Sequence, residues 1–247
     1  MLNWYARHGR DLPWRQTRDP YAILVCEILS HQTQISRVVP VYERLLARYP
    51  TVESLARAPL PAIKAMTDPL GYKARGGWLK AAAVVVAEER AGYFPNTVEG
   101  LRQLPGVGRY TAGAVMCFAH RLDAPVLDTN VARLLGRYFG AEPGDGASRV
   151  RLWELAAAVI PRGKGYLINQ ALMDLGATVC TARKPRCVAC PLRRGCRWRR
   201  VAKLEPGREI CYSTAVTWCS GGARRPSVLF SNRPKRSVSC SRNRSGR

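Results

Sequence analysis

The stretch Leu104 to His120, LPGVGRYTAGAVMCFAH, constrains the fold more than any other part of this chain. Leu104-Pro105 ends whatever precedes it, because the proline ring disfavours a continuing helix. Gly106 and Gly108 then bracket Val107. Glycines so placed permit positive φ and a close backbone approach just ahead of a helix. From Tyr110 onward the residues are small and apolar without a break, as in the second of two helices joined by a tight turn. The free N–H groups at such a helix start suit a phosphate. Asp128-Thr129-Asn130 follows and opens another helical run, DTNVARLLGRYF.

The rest of the chain carries helical patterns. Asn3 to Arg15, NWYARHGRDLPWR, predicts a short amphipathic helix stopped by Leu12-Pro13. Tyr21 to Ser30, YAILVCEILS, is almost wholly apolar, and Pro20 ahead of it is a plausible helix start. Its length and lack of strict alternation favour a buried helix over a strand. Val38–Arg48, Trp78–Ala91, Asn130–Phe139, Arg151–Ile160 and Tyr166–Thr178 also predict helices. No strand hairpin and no parallel-strand spacing occurs, so the expected class is all-α with short Gly/Pro connections.

Charge points to the partner. The chain has 40 Lys and Arg against 17 Asp and Glu, a net charge of +23. Residues 201–247 hold 10 of the basic and 2 of the acidic residues, so residues 1–200 are basic in their own right. Such an excess calls for a polyanion, most simply nucleic acid. No apolar run approaches a membrane span. A soluble intracellular protein, monomeric and without membrane contact, is expected.

A second signal stands by itself. Cys180, Cys187, Cys190 and Cys196 follow the spacing Cys-x6-Cys-x2-Cys-x5-Cys. Four thiolates this close can surround zinc or an iron–sulfur cluster, and spacing alone does not separate the two. Arg183, Lys184 and Arg186 lie within the first interval, where a pinned loop would present cations to phosphates.

Glu27 breaks the apolar pattern of its segment, between Cys26 and Ile28. A carboxylate there is either paired structurally or desolvated, with its pKa raised toward neutrality. Asp128 has two readings as well: a helix N-cap, with Asn130 as the alternative cap, or an ionised group in a site. These residues alone describe a basic, helical nucleic-acid-binding protein.

The motifs taken in order resemble those of the MutY-like adenine DNA glycosylases, within the helix–hairpin–helix DNA glycosylase superfamily. CEILSHQTQISRV is similar to a stretch in which a Glu precedes a Gln-Gln-Thr loop, here Ser30-His31-Gln32-Thr33. RDLPWR at Arg10–Arg15, DPY at Asp19–Tyr21, LGYKAR at Leu70–Arg75 and LPGVGRYTAGA match further family segments. The resemblance covers about residues 3–196.

It implies two helical lobes with DNA and the active site between them. Residues 1–19 and 126–200 would form the cluster-bearing lobe, and residues 20–125 the lobe carrying the hairpin. The four cysteines would hold a [4Fe–4S] cluster with a structural and DNA-docking role. Glu27 would donate a proton to the leaving base, and Asp128 would be the carboxylate near the sugar. Tyr110 stands where strand-nicking relatives carry a lysine, which implies a monofunctional glycosylase that leaves an abasic site. Gln32 and Tyr72 would plug the gap left by a flipped base. Gly106, Val107, Gly108 and Thr111, with Arg183, Lys184 and Arg186, would contact double-stranded DNA carrying a mismatch or damaged base. Arg10, Leu12, Trp14 and Arg15 would line or border the base pocket.

Departures leave the substrate open. Residues 201–247 are too few and irregular for a second domain that reads 8-oxoguanine. After Glu209 there is no acidic residue, and Cys211, Cys219 and Cys240 have no metal-like spacing. A disordered basic tail, or read-through of an altered frame, is expected there. LLGRYFG, AVMCFA and ALMDLGATVCTARKPRC also look like the compact mismatch thymine glycosylases. Removal of adenine opposite guanine or 8-oxoguanine is the first expectation. Removal of thymine or uracil opposite guanine is the second, and a non-catalytic iron–sulfur DNA-binding protein the third.

Overall fold

Asp19 starts the central helix of this protein. In the computed structural model its carboxylate accepts hydrogen bonds from the Tyr21 and Ala22 N–H groups, and Pro20 occupies the first helical position. These are two of the donors that a helix start leaves unsatisfied. The structure describes residues 1–141 and 146–199. The expected tail, with Cys211, Cys219 and Cys240, lies outside the described residues.

Eleven α-helices are found among the described residues, and no strand. They are α1 (Leu2–His8), α2 (Pro20–Leu29), α3 (Ile35–Arg48), α4 (Val52–Arg57), α5 (Leu60–Thr67), α6 (Ala74–Val84), α7 (Val98–Arg102), α8 (Arg109–Phe118), α9 (Thr129–Phe139), α10 (Gly146–Ala158) and α11 (Gly165–Thr178). The all-α expectation holds. No helix among the described residues is long and apolar enough to cross a membrane.

Several boundaries differ from the sequence expectations. The first helix ends at His8 rather than at Leu12-Pro13. A Cβ on Gly9 would lie 2.8 Å from the Tyr5 carbonyl oxygen, so the chain leaves the helix at a residue without a side chain. Trp78 lies inside α6, which begins at Ala74 and continues as a wider turn over Val85–Glu89. The helix α3 starts at Ile35 and keeps Pro40 in its interior. Three short helices, α4, α5 and α7, are too brief to show a periodicity. Asp128, not Asn130, caps α9.

Apolar side chains gather in two clusters. One runs from Tyr21 to Val126 and is built by α2 to α8. The other is built by α9 to α11, with Met1, Leu2 and Trp4 packed against it from the N-terminus. Thus α1 rejoins the last helices, packing on α11. Every residue of α2 from Tyr21 to Leu29 is buried. Burying each large aliphatic side chain there contributes about 1.5–3 kcal/mol, which is why a charged residue within the run stands out.

Candidate active site

Glu27 is that residue, only 4% exposed. The helices α2 and α8 pack side by side, and Tyr110, on the first turn of α8, hydrogen-bonds to the Glu27 carboxyl group. Burial raises the Glu27 pKa to about 7. The nearby Asp128 charge pushes it the same way, while the bond to Tyr110 opposes the rise. Burial, with the charges of Glu27 and Asp128, holds the Tyr110 hydroxyl protonated well above its ordinary range. A carboxylic acid that keeps its proton near neutrality can act as a general acid.

Asp128 is brought into this group while also capping α9. Its Oδ1 accepts from the Val131 N–H at 2.6 Å, and its Oδ2 accepts from the Asn130 amide at 2.9 Å. Burial raises its pKa, and these two hydrogen bonds act against the rise. The cap and the site are therefore the same residue. Arg133 stands behind them: it donates to Asn130 Oδ1 and to the carbonyls of Gly176 and Cys180, at 2.7–2.9 Å.

Three exposed features meet around α6. Gln32 is exposed, with a positive φ of 52°. Tyr72 is 39% exposed. Its ring and that of His31 both contact the Trp78 ring, with centroids 5.4 and 6.0 Å away. The hairpin also packs on Trp78: Gly106 has a φ of +77°, and a Cβ there would sit 2.7 Å from Trp78 Cβ. Gly108 differs from expectation. Its φ is −92° and a Cβ would meet nothing within 4 Å, so this glycine leaves open space instead of serving a turn.

Two residues grouped with the hairpin turn their side chains inward. Val107 points into the core at 7% exposure, and its N–H is spent on the Leu104 carbonyl. Thr111 is 1% exposed with its hydroxyl 3.4 Å from His31 Nε2; only its backbone remains for an external contact. Val107 faces inward as a member of the Tyr21–Val126 cluster, and Thr111 faces inward from the first turn of α8.

Arg10 and Arg15 converge on Asp174, a residue of α11 that sequence patterns passed over. Arg15 makes two bonds to its carboxylate at 2.7 and 2.8 Å, and Arg10 Nε donates a third at 2.7 Å. Burial alone would raise the Asp174 pKa; the bonds from Arg15 and Arg10 outweigh it and hold the group below the usual carboxylate range. Leu12 is buried and Trp14 meets Tyr42 edge-on. Inside an amphipathic helix pattern, Asp174 carried no sign of partners about 160 residues away, where the sequence separation to Arg15 is 159.

Cys180, Cys187, Cys190 and Cys196 line one small cavity with Arg137, Pro185 and Trp198. None is in a disulfide. Arg137 Nη1 lies 3.5 Å from Cys180 Sγ, a cation beside a thiol. Among the described residues, no three or more His, Cys, Asp or Glu close up as they would around a single ion. The donor set is all sulfur and faces one cavity, which suits a thiolate-bound metal centre, either zinc or an iron–sulfur cluster. Arg183, Lys184 and Arg186 are exposed on the first interval of this loop.

Comparisons with known proteins match this architecture. Residues 25–157 match the model of the HhH-GPD superfamily of base excision DNA repair proteins. The chain is 40% identical over 216 residues to an adenine DNA glycosylase of Homo sapiens, covering 83% of this chain and 40% of that protein. It is 42% identical over 200 residues to an adenine DNA glycosylase of Mycolicibacterium smegmatis, covering 81% of this chain and 68% of that one. A solved thermostable thymine-DNA glycosylase superposes with a TM-score of 0.74 at 35% identity, over 81% of this chain and 93% of that chain. The chain spans only 40% of the human relative's length.

Proposed function

This chain belongs to the HhH-GPD superfamily of base excision DNA repair proteins, and from that premise we propose that it is a monofunctional DNA glycosylase. It hydrolyses the N-glycosidic bond of an adenine mispaired with guanine or 8-oxoguanine and leaves an abasic site. One observation carries this reading: buried Glu27 is gathered with half-buried Tyr110 and Asp128 into one group, with Glu27 poised near pH 7. A protein that only bound DNA would have no need to bring a buried and a half-buried carboxylate together. Similarity to adenine DNA glycosylases of two distant organisms supports adenine as the base removed.

Cleavage proceeds through a cation-like sugar and needs assistance at both ends of the bond. Glu27, still protonated, delivers its proton to a ring nitrogen of the base as the bond lengthens. Tyr110 holds that carboxyl in place through its hydroxyl. Asp128, whose carboxylate form the Val131 N–H and the Asn130 amide favour, stabilises the positive charge on the sugar until water adds and gives its surplus proton to the carboxylate that Glu27 has become. No amine stands at Tyr110, and Lys73 is on an exposed turn; a Schiff base with the sugar is not expected.

Reaching the base requires extruding it from the duplex, at about a few kcal/mol. Gln32 and Tyr72 fill the vacated space. The Gly106–Gly108 hairpin, the start of α8, and Arg183, Lys184 and Arg186 hold phosphates. The segment Arg10–Arg15, fixed by Asp174, borders the base pocket. The two apolar clusters form two lobes with DNA between them. Cys180, Cys187, Cys190 and Cys196 would hold a [4Fe–4S] cluster, which when bound pins the basic loop and takes no part in bond cleavage. A brown protein containing iron and sulfide is expected; a colourless protein that contains zinc would remove the cluster.

A second reading is favoured by one finding, the similarity to a thymine-DNA glycosylase at 35% identity. Incubating the protein with duplexes carrying A·G, A·8-oxoguanine, T·G and U·G, followed by alkali, separates the two. Strand breaks at adenine support the first reading. Breaks confined to T·G and U·G replace it with the second, and none at all leaves DNA binding alone.

A further inference from the structure

Arg75 lies on the first turn of α6, is fully buried, and among the described residues forms no salt bridge with a carboxylate. Its Nε donates to the Ile28 carbonyl at 3.3 Å. Its Nη2 donates to the His31 carbonyl and to Thr33 Oγ1, the latter at 2.6 Å. Thr33 Oγ1 is in turn 3.4 Å from the Leu70 carbonyl oxygen, just before the turn that carries Tyr72. The guanidinium carbon sits 5.9 Å from the centre of the Tyr72 ring.

We propose that Arg75 is a positioning residue that clamps the Gln32 loop against the Tyr72 turn, so that both side chains enter the duplex as one wedge. This rests on the wedge reading given above. Gln32 stands between His31 and Thr33, the two residues that Arg75 holds, and adopts a positive φ. A residue other than glycine keeps that conformation only when its surroundings impose it. The guanidinium reaches separate acceptors in fixed directions from one rigid plane, which an ammonium cannot do. The Ile28 carbonyl belongs to the last turn of α2, where the negative end of the helix favours a cation. That helps explain how a buried charge without an acid partner is tolerated.

The test follows single-turnover excision together with the fluorescence of 2-aminopurine placed beside the mispaired adenine, which reports base extrusion. Arg75→Lys in the full chain is expected to lower both, with a rate loss of ~10–100-fold, while affinity for matched duplex is unchanged. In a Gln32→Gly, Tyr72→Ala background the same substitution should cost less than about twofold, because Arg75 acts only through those residues. An equal loss in both backgrounds, or none in either, overturns the assignment. Thr33→Val removes one link while leaving Arg75 its two carbonyl acceptors, and carries the same comparison if Arg75→Lys fails to fold. If the Gln32→Gly, Tyr72→Ala protein extrudes the base normally, the wedge reading itself fails and the Arg75 assignment with it. If that protein loses extrusion and Arg75→Lys retains it, only the Arg75 assignment fails.

Discussion

The hydroxyl of Tyr110 and the carboxyl of Glu27, on two different helices, are joined by a hydrogen bond inside the protein. That bond lowers the Glu27 pKa while burial and the Asp128 charge raise it, and the balance falls at about 7. The rate of excision should therefore be level below about pH 7 and fall ~10-fold per unit above it, as the acid loses its proton. Tyr110→Phe removes the opposing bond, so the fall should begin at a higher pH. A pH–rate profile of single-turnover excision for both proteins checks this.

The same group links stability to pH. The Glu27 pKa is raised from 4.5 to about 7 on folding, so between those values the folded state binds a proton that the unfolded state has released. Its contribution is full below pH 4.5 and lost as pH rises through about 7. Glu27→Gln does not titrate. The Tm of wild type relative to this variant should therefore fall from pH 5 to pH 8, as thermal melts in matched buffers would reveal. A constant difference would place Glu27 in a more exposed setting.

Asp174 works in the opposite direction. Its side chain is fully buried between Arg10 and Arg15, and their hydrogen bonds hold its pKa below 3.8. The stability it gives is present above pH 3.8 and is lost as pH falls below that value. Asp174→Asn leaves buried arginine charge without its counterion and should cost about 3–5 kcal/mol in urea denaturation at pH 7. A loss below about 1 kcal/mol would mean that the arginines find other partners.

The two hairpin glycines should separate by substitution. Gly106→Ala places a methyl against Trp78 at a φ of +77°, so both Tm and DNA affinity should drop. Gly108→Ala meets open space at an ordinary φ. Its Tm should stay close to wild type while affinity for duplex falls, if a phosphate occupies that space. Melting curves and fluorescence anisotropy at one salt concentration decide it.

What could be read in the sequence was whatever is local in it. The run Tyr21–Leu29 announces a buried helix, and Glu27 stands out because its neighbours are apolar. Asp128-Thr129-Asn130 shows a cap, but the cap's nearness to Glu27 depends on packing across about a hundred residues of chain. Arg75, Trp78 and Asp174 look like ordinary helix residues. Their meaning comes from partners distant in sequence: Arg75 binds the Ile28 carbonyl at a separation of 47 residues, and Asp174 binds Arg10 at 164. The glycine turn was legible as a motif, although only Gly106 needs its special φ. The helices α4, α5 and α7 were missed because five to eight residues are too few for an apolar stripe to repeat.

Whether Glu27 supplies the proton is measured most directly on Glu27→Gln, with rate, binding and melting temperature taken from one preparation. The glutamine keeps the shape of the side chain and much of its hydrogen bonding, but not the acid. Single-turnover excision should fall ~10²–10⁴-fold, with affinity for the mismatched duplex near wild type and no loss of Tm at pH 7. A lower Tm with the rate per folded molecule unchanged would make Glu27 a structural carboxylate and remove it from the chemistry.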